Sequence, residues 1–337
     1  MVVVFAIGVV ADRLQALAGD IRASGRVEHL TQTHVRAGSA QLIAGDLANI
    51  NGTRNLGTTD RALRLDVDSV QLTTRTALRS VINVQALGDL GLDSGAVSVL
   101  RGGIVQIEAL GQLRVDSDIT LEPDEGSNVR LKAGGELRLA GSISFGEGLL
   151  ELSGTSIWQG ASSIVSNPGG AIMLTATAGD IEQAAGARLS SGGADITLQA
   201  KRDVRLSLVD AGAGLVTVMA GGALLEAGDD AAADVIANRL VVTAGSVGTL
   251  GRRGNALEVQ VAKLSVDSDG VIALRVLSPV ELQRLQAGLK DTAASAVVVS
   301  DGALTLSGAS GTRGGNLLLQ ATGAQGSLNL NAALSTQ

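Results

Sequence analysis

The sequence predicts an all-β protein, a parallel β-solenoid in which successive turns of the chain stack and bury small aliphatic side chains between them. Three observations predict it. Hydrophobic residues make up 45% of the 337-residue chain, yet only Phe5, Phe145 and Trp158 are aromatic. A wide globular core would use many rings to fill its volume, so a narrow interior of Ala, Val, Leu and Ile is implied. Glycine is abundant, 45 residues against 3 prolines, and six Gly-Gly doublets each lead into an alternating apolar run. Finally, Ile172, Ile196, Val216, Leu240 and Val259 head successive apolar pairs at separations of 24, 20, 24 and 19 residues. A supersecondary unit that recurs at such a period cannot bury its apolar face alone and must stack on its neighbours.

The elements follow in order along the chain. The apolar run Val2 to Ala11 has the length of a signal-peptide core but no positive residue ahead of it, so it reads as a first buried strand. It is too short to span a bilayer, and no other stretch reaches that length. Ala11 to Ala18 could be drawn as a helix, but the coil pattern runs through it and favours strand. The doublets come next: Gly102-Gly103, Gly134-Gly135, Gly169-Gly170, Gly192-Gly193, Gly221-Gly222 and Gly314-Gly315, with Asp301-Gly302 a degenerate seventh. Glycine supplies the positive φ of a sharp corner, and the run that follows each doublet has the two-residue period of a strand. Ser278 to Leu289 is the best helix candidate, with Ser278 and Glu281 spaced as a capping box and Pro279 at the first helical position.

A longer repeat overlies the short one. Leu56-Gly57-Thr58 followed by Ala62-Leu63-Arg64-Leu65-Asp66-Val67 recurs as Val247-Gly248-Thr249 followed by Ala256-Leu257-Glu258-Val259-Gln260-Val261. Apolar positions persist while Arg64 and Asp66 become Glu258 and Gln260, which are therefore assigned to the outside. The expected organisation is one continuous solenoid over 1–337 with long-period units near 1–95, 96–290 and 291–337, the last partial. Dividing the length by a turn of about 20–24 residues gives roughly 15 coils.

Gly179-Asp180-Ile181, the run Ser191-Gly192-Gly193-Ala194-Asp195-Ile196-Thr197-Leu198-Gln199-Ala200 and the two Gly-Thr…Ala-Leu-x-Val-x-Val copies resemble repeats of filamentous-haemagglutinin-type adhesins and related large repetitive exoproteins of Gram-negative bacteria. The likeness runs from about Ile21 to Leu330. It implies a right-handed parallel β-helix, a secreted or cell-surface location, and a non-enzymatic role as a rod-like spacer or adhesion surface. It also implies further solenoid repeats at both ends, with a host-cell or matrix receptor, a glycan or sister molecules as partners. No export signal is evident in the chain, and the pattern is already under way at Ile7-Gly8 and still open at Leu328-Asn329-Leu330.

Composition excludes several chemistries. Without cysteine there is no thiol catalysis, disulfide or zinc knuckle. A net charge of −7, no basic block longer than Arg252-Arg253 and few rings argue against nucleic acid. The sequence contains no Gly-x-Ser-x-Gly elbow and no Gly-Lys dipeptide. Ala211-Gly212-Ala213-Gly214 lacks the third glycine and the helix of a dinucleotide site.

The metal candidates are Asp116 with Asp118 and Asp267 with Asp269, each pair on one face of a strand end; solvated acidic corners are the simpler reading, since calcium takes six or more oxygens. No cofactor is expected beyond calcium at such a corner, which would give a calcium-stiffened solenoid. His29 and His34, five apart, fall on opposite strand faces. The enzyme alternative is a carbohydrate-active β-helix, a polysaccharide lyase or hydrolase. It would need carboxylates such as Asp180, Asp195, Asp203 and Asp210 to cluster in a groove, with Trp158 as a sugar platform rather than the buried plug that its area suggests.

Overall fold

The computed structural model describes the chain from residue 80 onward except 100–102, 122–126, 246–247, 253, 290–292 and 337. Before residue 80 it describes 2–5, 9–10, 13–15, 20–24, 27–28, 34–44, 56, 59–60 and 62–74. Every described regular element is a β-strand, from Val2–Phe5 to Leu334–Thr336. Among the described residues the strand pairings are parallel apart from one two-residue bridge, Arg252 with Asn255. The protein is a parallel β-solenoid: most strands pair with one about a turn earlier and one about a turn later. The chain divides into two units, Met1–Ala171 and Ile172–Gln337.

In the first unit one ladder runs Asp20, Ser39, Ser69, Gly91, Arg114, Arg138, Trp158. In the second, one runs Ile181, Val204, Leu224, Leu250, Ile272, Ala296, Leu317. Strands of this kind form because inward positions alternate with outward ones and each inward residue finds its like a turn away. Ile172, Ile196, Val216 and Leu240 stack in this way, in register and all buried. The fifth expected member does not: Leu264 continues that ladder, and Val259 pairs with Val235 in another. Strand Leu257–Ser268 is long enough to serve two faces, so its apolar residues offer more than one plausible register.

The long repeat has a structural counterpart. Leu63–Thr74 and Leu257–Ser268 are both 12-residue strands. Leu63, Leu65, Val67, Val70 and Leu72 are buried in one, and Leu257, Val259, Val261, Leu264 and Val266 in the other. The register slips at corresponding points, between Val70 and Leu72 and between Leu264 and Ser265.

Ser278 to Leu289 is not a helix. Val280–Ala287 is a strand paired with Leu257–Ser268 on one side and with Leu304–Leu306 and Ser310–Thr312 on the other. The buried residues Val280, Leu282, Leu285 and Ala287 mimic helical spacing because the register slip inserts one residue between two alternating pairs. Ladder hydrogen bonds on both edges outweigh the local capping signals, which carry only about 1 kcal/mol.

Glycine corners work in two ways. Gly169, Gly192 and Gly193 have positive φ, at 99°, 64° and 124°, as expected. Gly134 and Gly221 instead lie so close to the preceding turn that a Cβ would strike the Leu110 and Lys201 carbonyls. There the missing side chain, not the backbone angle, is what the fold uses.

Candidate functional site

The aspartates singled out as catalytic or metal candidates mostly stitch one turn to the next. Asp180 Oδ1 accepts the Asp203 backbone N–H at 2.9 Å, and Asp203 Oδ1 accepts that of Ala223 at 2.7 Å. Asp195 does the same for Leu215 at 2.9 Å, while Asp210 closes a local turn onto the Gly212 N–H at 2.9 Å. At a corner the strand ladder lapses, and a carboxylate one turn away satisfies the freed donor.

Asp118 accepts the Ser142 N–H at 2.8 Å, and Asp116 meets Arg114 at 3.5 Å. Asp267 meets Arg284 at 2.6 Å, and Asp269 is buried beside it in the chain. Neither pair is joined by a third acidic or histidine ligand among the described residues. His29 lies outside the described residues, as does the side chain of His34 at the start of strand His34–Ala44.

Trp158 is not a buried plug. It occupies an outward position between the buried Ile157 and Gln159, with the Arg138 guanidinium 3.9 Å from its ring centroid. Arg138 is its ladder neighbour one turn earlier, so the cation–π contact follows from register. Among the described residues the large ring inside the solenoid is Phe145, 2% exposed. Trp158 stays outside because its strand alternates strictly, and Ile157 and Gln159 hold the two inward positions.

The one group of three potential ligands among the described residues is Glu226, Asp234 and Glu258, in the second unit; one oxygen of each lies within 4.8 Å of the other two. Strand Leu224–Glu226 ends at Glu226, in register with Leu206. Asp234 immediately precedes strand Val235–Ala244, and Glu258 is the second residue of Leu257–Ser268, which pairs with it. Two hydrogen bonds join them: Asp234 N–H donates to the Glu258 carbonyl at 2.8 Å, and Glu258 N–H donates to Asp234 Oδ2 at 2.9 Å.

The turn between the strands closes over the group. Asp230 N–H donates to Glu226 Oε1 at 3.1 Å, and Asn255 Nδ2 donates to the Gly228 carbonyl at 3.0 Å. Glu226, Asp234 and Glu258 are 9%, 3% and 7% exposed. This corrects the outward assignment of Glu258: it has the outward phase, but the 227–233 turn covers it, whereas Arg64 in the first copy is exposed.

Burial governs the electrostatics. It pushes the Asp234 carboxyl up to about 8; the Glu258 backbone N–H opposes this, and Glu226, Glu258 and Asp230 add to it. Burial also pushes Glu258 up to about 7, with Glu226 and Asp230 raising it and Arg275 lowering it. Arg275 is the ladder neighbour of Glu258 and pairs with Asp301 at 3.0 Å. Three carboxylates at this spacing, desolvated, favour any species that brings positive charge: protons or a hard cation.

Two cavities flank the region. One of about 30 Å³ is lined by Arg205, Leu225, Glu226, Gly251, Arg252 and Asn255. The other, about 630 Å³, lies along Ala273, Val297 and Leu318, successive outward positions of paired strands, with Arg252, Arg275 and Asn316 at its polar points.

Sequence reasoning passed over Glu226, Asp234 and Glu258. The available signal was the acidic stretch Gly228-Asp229-Asp230-Ala231-Ala232-Ala233-Asp234 between two strands, together with the exchange of Arg64 for Glu258 between repeat copies. Comparison of the chain with family models, with curated proteins and with solved structures finds no match.

Proposed function

We propose that this chain is a non-enzymatic structural segment of a secreted or cell-surface repeat protein, a spacer that offers its outer face for adhesion. The observation that carries this reading is the separation of space from acid chemistry in the second unit. The 630 Å³ groove is of ligand size but has no carboxylate or histidine among the described residues of its lining. The cavity that reaches Glu226 holds about 30 Å³, room for water or an ion and not for a sugar ring. Glycoside chemistry needs both in one place.

The interior and exterior support the same reading. Inward positions keep their aliphatic character between repeat copies, while outward positions change. Val271, Val297 and Leu318 are exposed along the groove, an apolar strip of the kind that marks contact surfaces. Repeated weak contacts along such a face add by avidity.

Leu328, Leu330 and Leu334 are also exposed, although they stand in register with the buried Leu304, Leu306 and Ser310.

A second reading, a carbohydrate-active enzyme, draws on the raised Asp234 and Glu258 carboxyls, which have the character of general acids. One experiment separates the two. The purified chain is incubated with a panel of neutral and uronate polysaccharides, and is also bound to immobilised matrix proteins and cells. The proposal expects no turnover and saturable binding that Val297→Asp with Leu318→Asp weakens. Chain cleavage that is lost in Glu258→Gln would establish the enzyme instead.

A further inference from the structure

We propose that Glu226, Asp234 and Glu258 form a site for a hard divalent cation of calcium size, closed beneath the 227–233 turn. The inference stands apart from the adhesive reading and survives if that reading fails.

Two independent observations meet here. The first is convergence: three carboxylate oxygens, one from each residue, lie within 4.8 Å of one another. Ligands about 2.3–2.6 Å from a common calcium ion stand at most about 5 Å apart, so the spread fits that sphere as it is. Magnesium, which demands near-ideal octahedral geometry and gives up its waters reluctantly, suits such a closed protein site less well.

The second is orphaned acceptors. Glu226 Oε2 and Glu258 Oε2 are buried without a hydrogen-bond partner, on side chains more than nine-tenths buried. A buried carboxylate oxygen left in this state is costly, and native proteins rarely leave one.

The other charged groups of the site do not remove the need. Arg275, beside Glu258 in the ladder, is engaged by Asp301. Arg205 and Arg252 line a cavity with Glu226, yet Glu226 Oε2 has no hydrogen-bond partner. Asp230 adds negative charge.

Protons can quiet the group in part. A proton shared between the two orphaned oxygens leaves most of the group's negative charge in place, whereas one cation offsets all three carboxylates. The 30 Å³ cavity that Glu226 also lines has room for about two of the waters that a shell of six to eight oxygens adds to the carboxylates.

The site is also a clamp. Glu226 ends one strand, Asp234 precedes the next and Glu258 stands a full turn later. A bound ion therefore ties the ends of the 227–233 turn to the following coil, where the backbone ladder is interrupted.

The test uses the intact chain, stripped with chelator, with melting followed by circular dichroism and calcium binding followed by equilibrium dialysis. Calcium at roughly a hundredfold excess over its dissociation constant is expected to raise the melting temperature by roughly 5 °C. The same concentration of magnesium does less, and dialysis finds a calcium that Glu226→Gln loses. Glu258→Gln should remove the calcium response while melting no lower than the stripped wild type, since it replaces a buried acid with a neutral amide.

Should Glu258→Gln fail to fold, Glu226→Gln and wild-type dialysis decide the matter on their own. No calcium bound and no shift at about 10 mM, a concentration above the weakest oxygen-ligand sites, overturns the proposal. So does a full calcium response in both glutamine variants.

Discussion

Leu198→Ala tests the stacked interior at its most regular point. Leu198 is 1% exposed and stands in a ladder of Leu174, Leu198, Val218 and Val242. The substitution deletes three buried carbons, worth about 0.8 kcal/mol each in transfer free energy, or about 2.4 kcal/mol. A residual cavity adds to this because the turns above and below are held by their own hydrogen bonds and cannot collapse far, which places the expected loss at about 3–4 kcal/mol.

The adjacent Gln199 is the control. It sits between Thr175 and Met219 on the opposite face and is exposed, so Gln199→Ala should cost less than about 0.5 kcal/mol. Urea denaturation gives both values, and amide exchange gives their reach. In a stacked-repeat protein each turn contacts mainly its neighbours, so protection should fall chiefly in strands Ala171–Ala176, Ile196–Ala200 and Leu215–Ala220. Equal costs for the two variants, or a larger one for Gln199→Ala, would mean that the strand is turned over by one residue and the reasoning is wrong.

Three further outcomes are expected. Asp203→Ala removes the acceptor for the Ala223 N–H and should cost about 1–3 kcal/mol, with faster exchange at that amide; Asp203→Asn, which keeps one carbonyl oxygen, should recover part of the loss. Arg138→Ala uncovers the single tryptophan, so Trp158 emission should shift to the red and acrylamide quenching should increase, at a stability cost of no more than about 1 kcal/mol. In chelator, stability should fall as pH rises. Asp234 and Glu258 hold their protons more tightly folded, at about 8 and about 7, than at their ordinary values of 3.8 and 4.5. Their favourable contribution is therefore complete below about pH 4 and gone above about pH 8. Melting curves across that window should show the decline, and Glu258→Gln should flatten it.

The alternation and the glycine corners made the solenoid legible, because both are local and repeat. The Ile172, Ile196, Val216, Leu240 ladder and the inward set of the long repeat follow from apolar spacing alone. Where two registers fit one apolar pattern, only the partner strands decide: Val259 pairs with Val235 and not with the ladder above it. The stretch Ser278 to Leu289 misleads for a related reason, since one slipped residue turns alternation into apparent helical spacing.

The acidic group was the least legible feature. Glu258 reads as outward from its strand phase, and its burial depends on a turn that begins some thirty residues earlier in the chain. Glu226 and Asp234 belong to strand ends, where alternation carries no information. Trp158 shows the converse: a residue whose size argues for burial is held outside by the ladder that carries it.

Equivalent positions of consecutive turns lie one strand spacing apart, in register. The absence of native cysteine allows spin labels to be placed cleanly along the outward ladder Thr175, Gln199, Met219 and Thr243. Backbone separations should grow by about 4.8 Å per turn, so the Thr175 and Thr243 labels, three rungs apart, should show a distance centred near 14 Å. A Thr175 to Thr243 distance beyond about 25 Å, or distances that do not increase with the number of rungs, would contradict stacking and the account built on it.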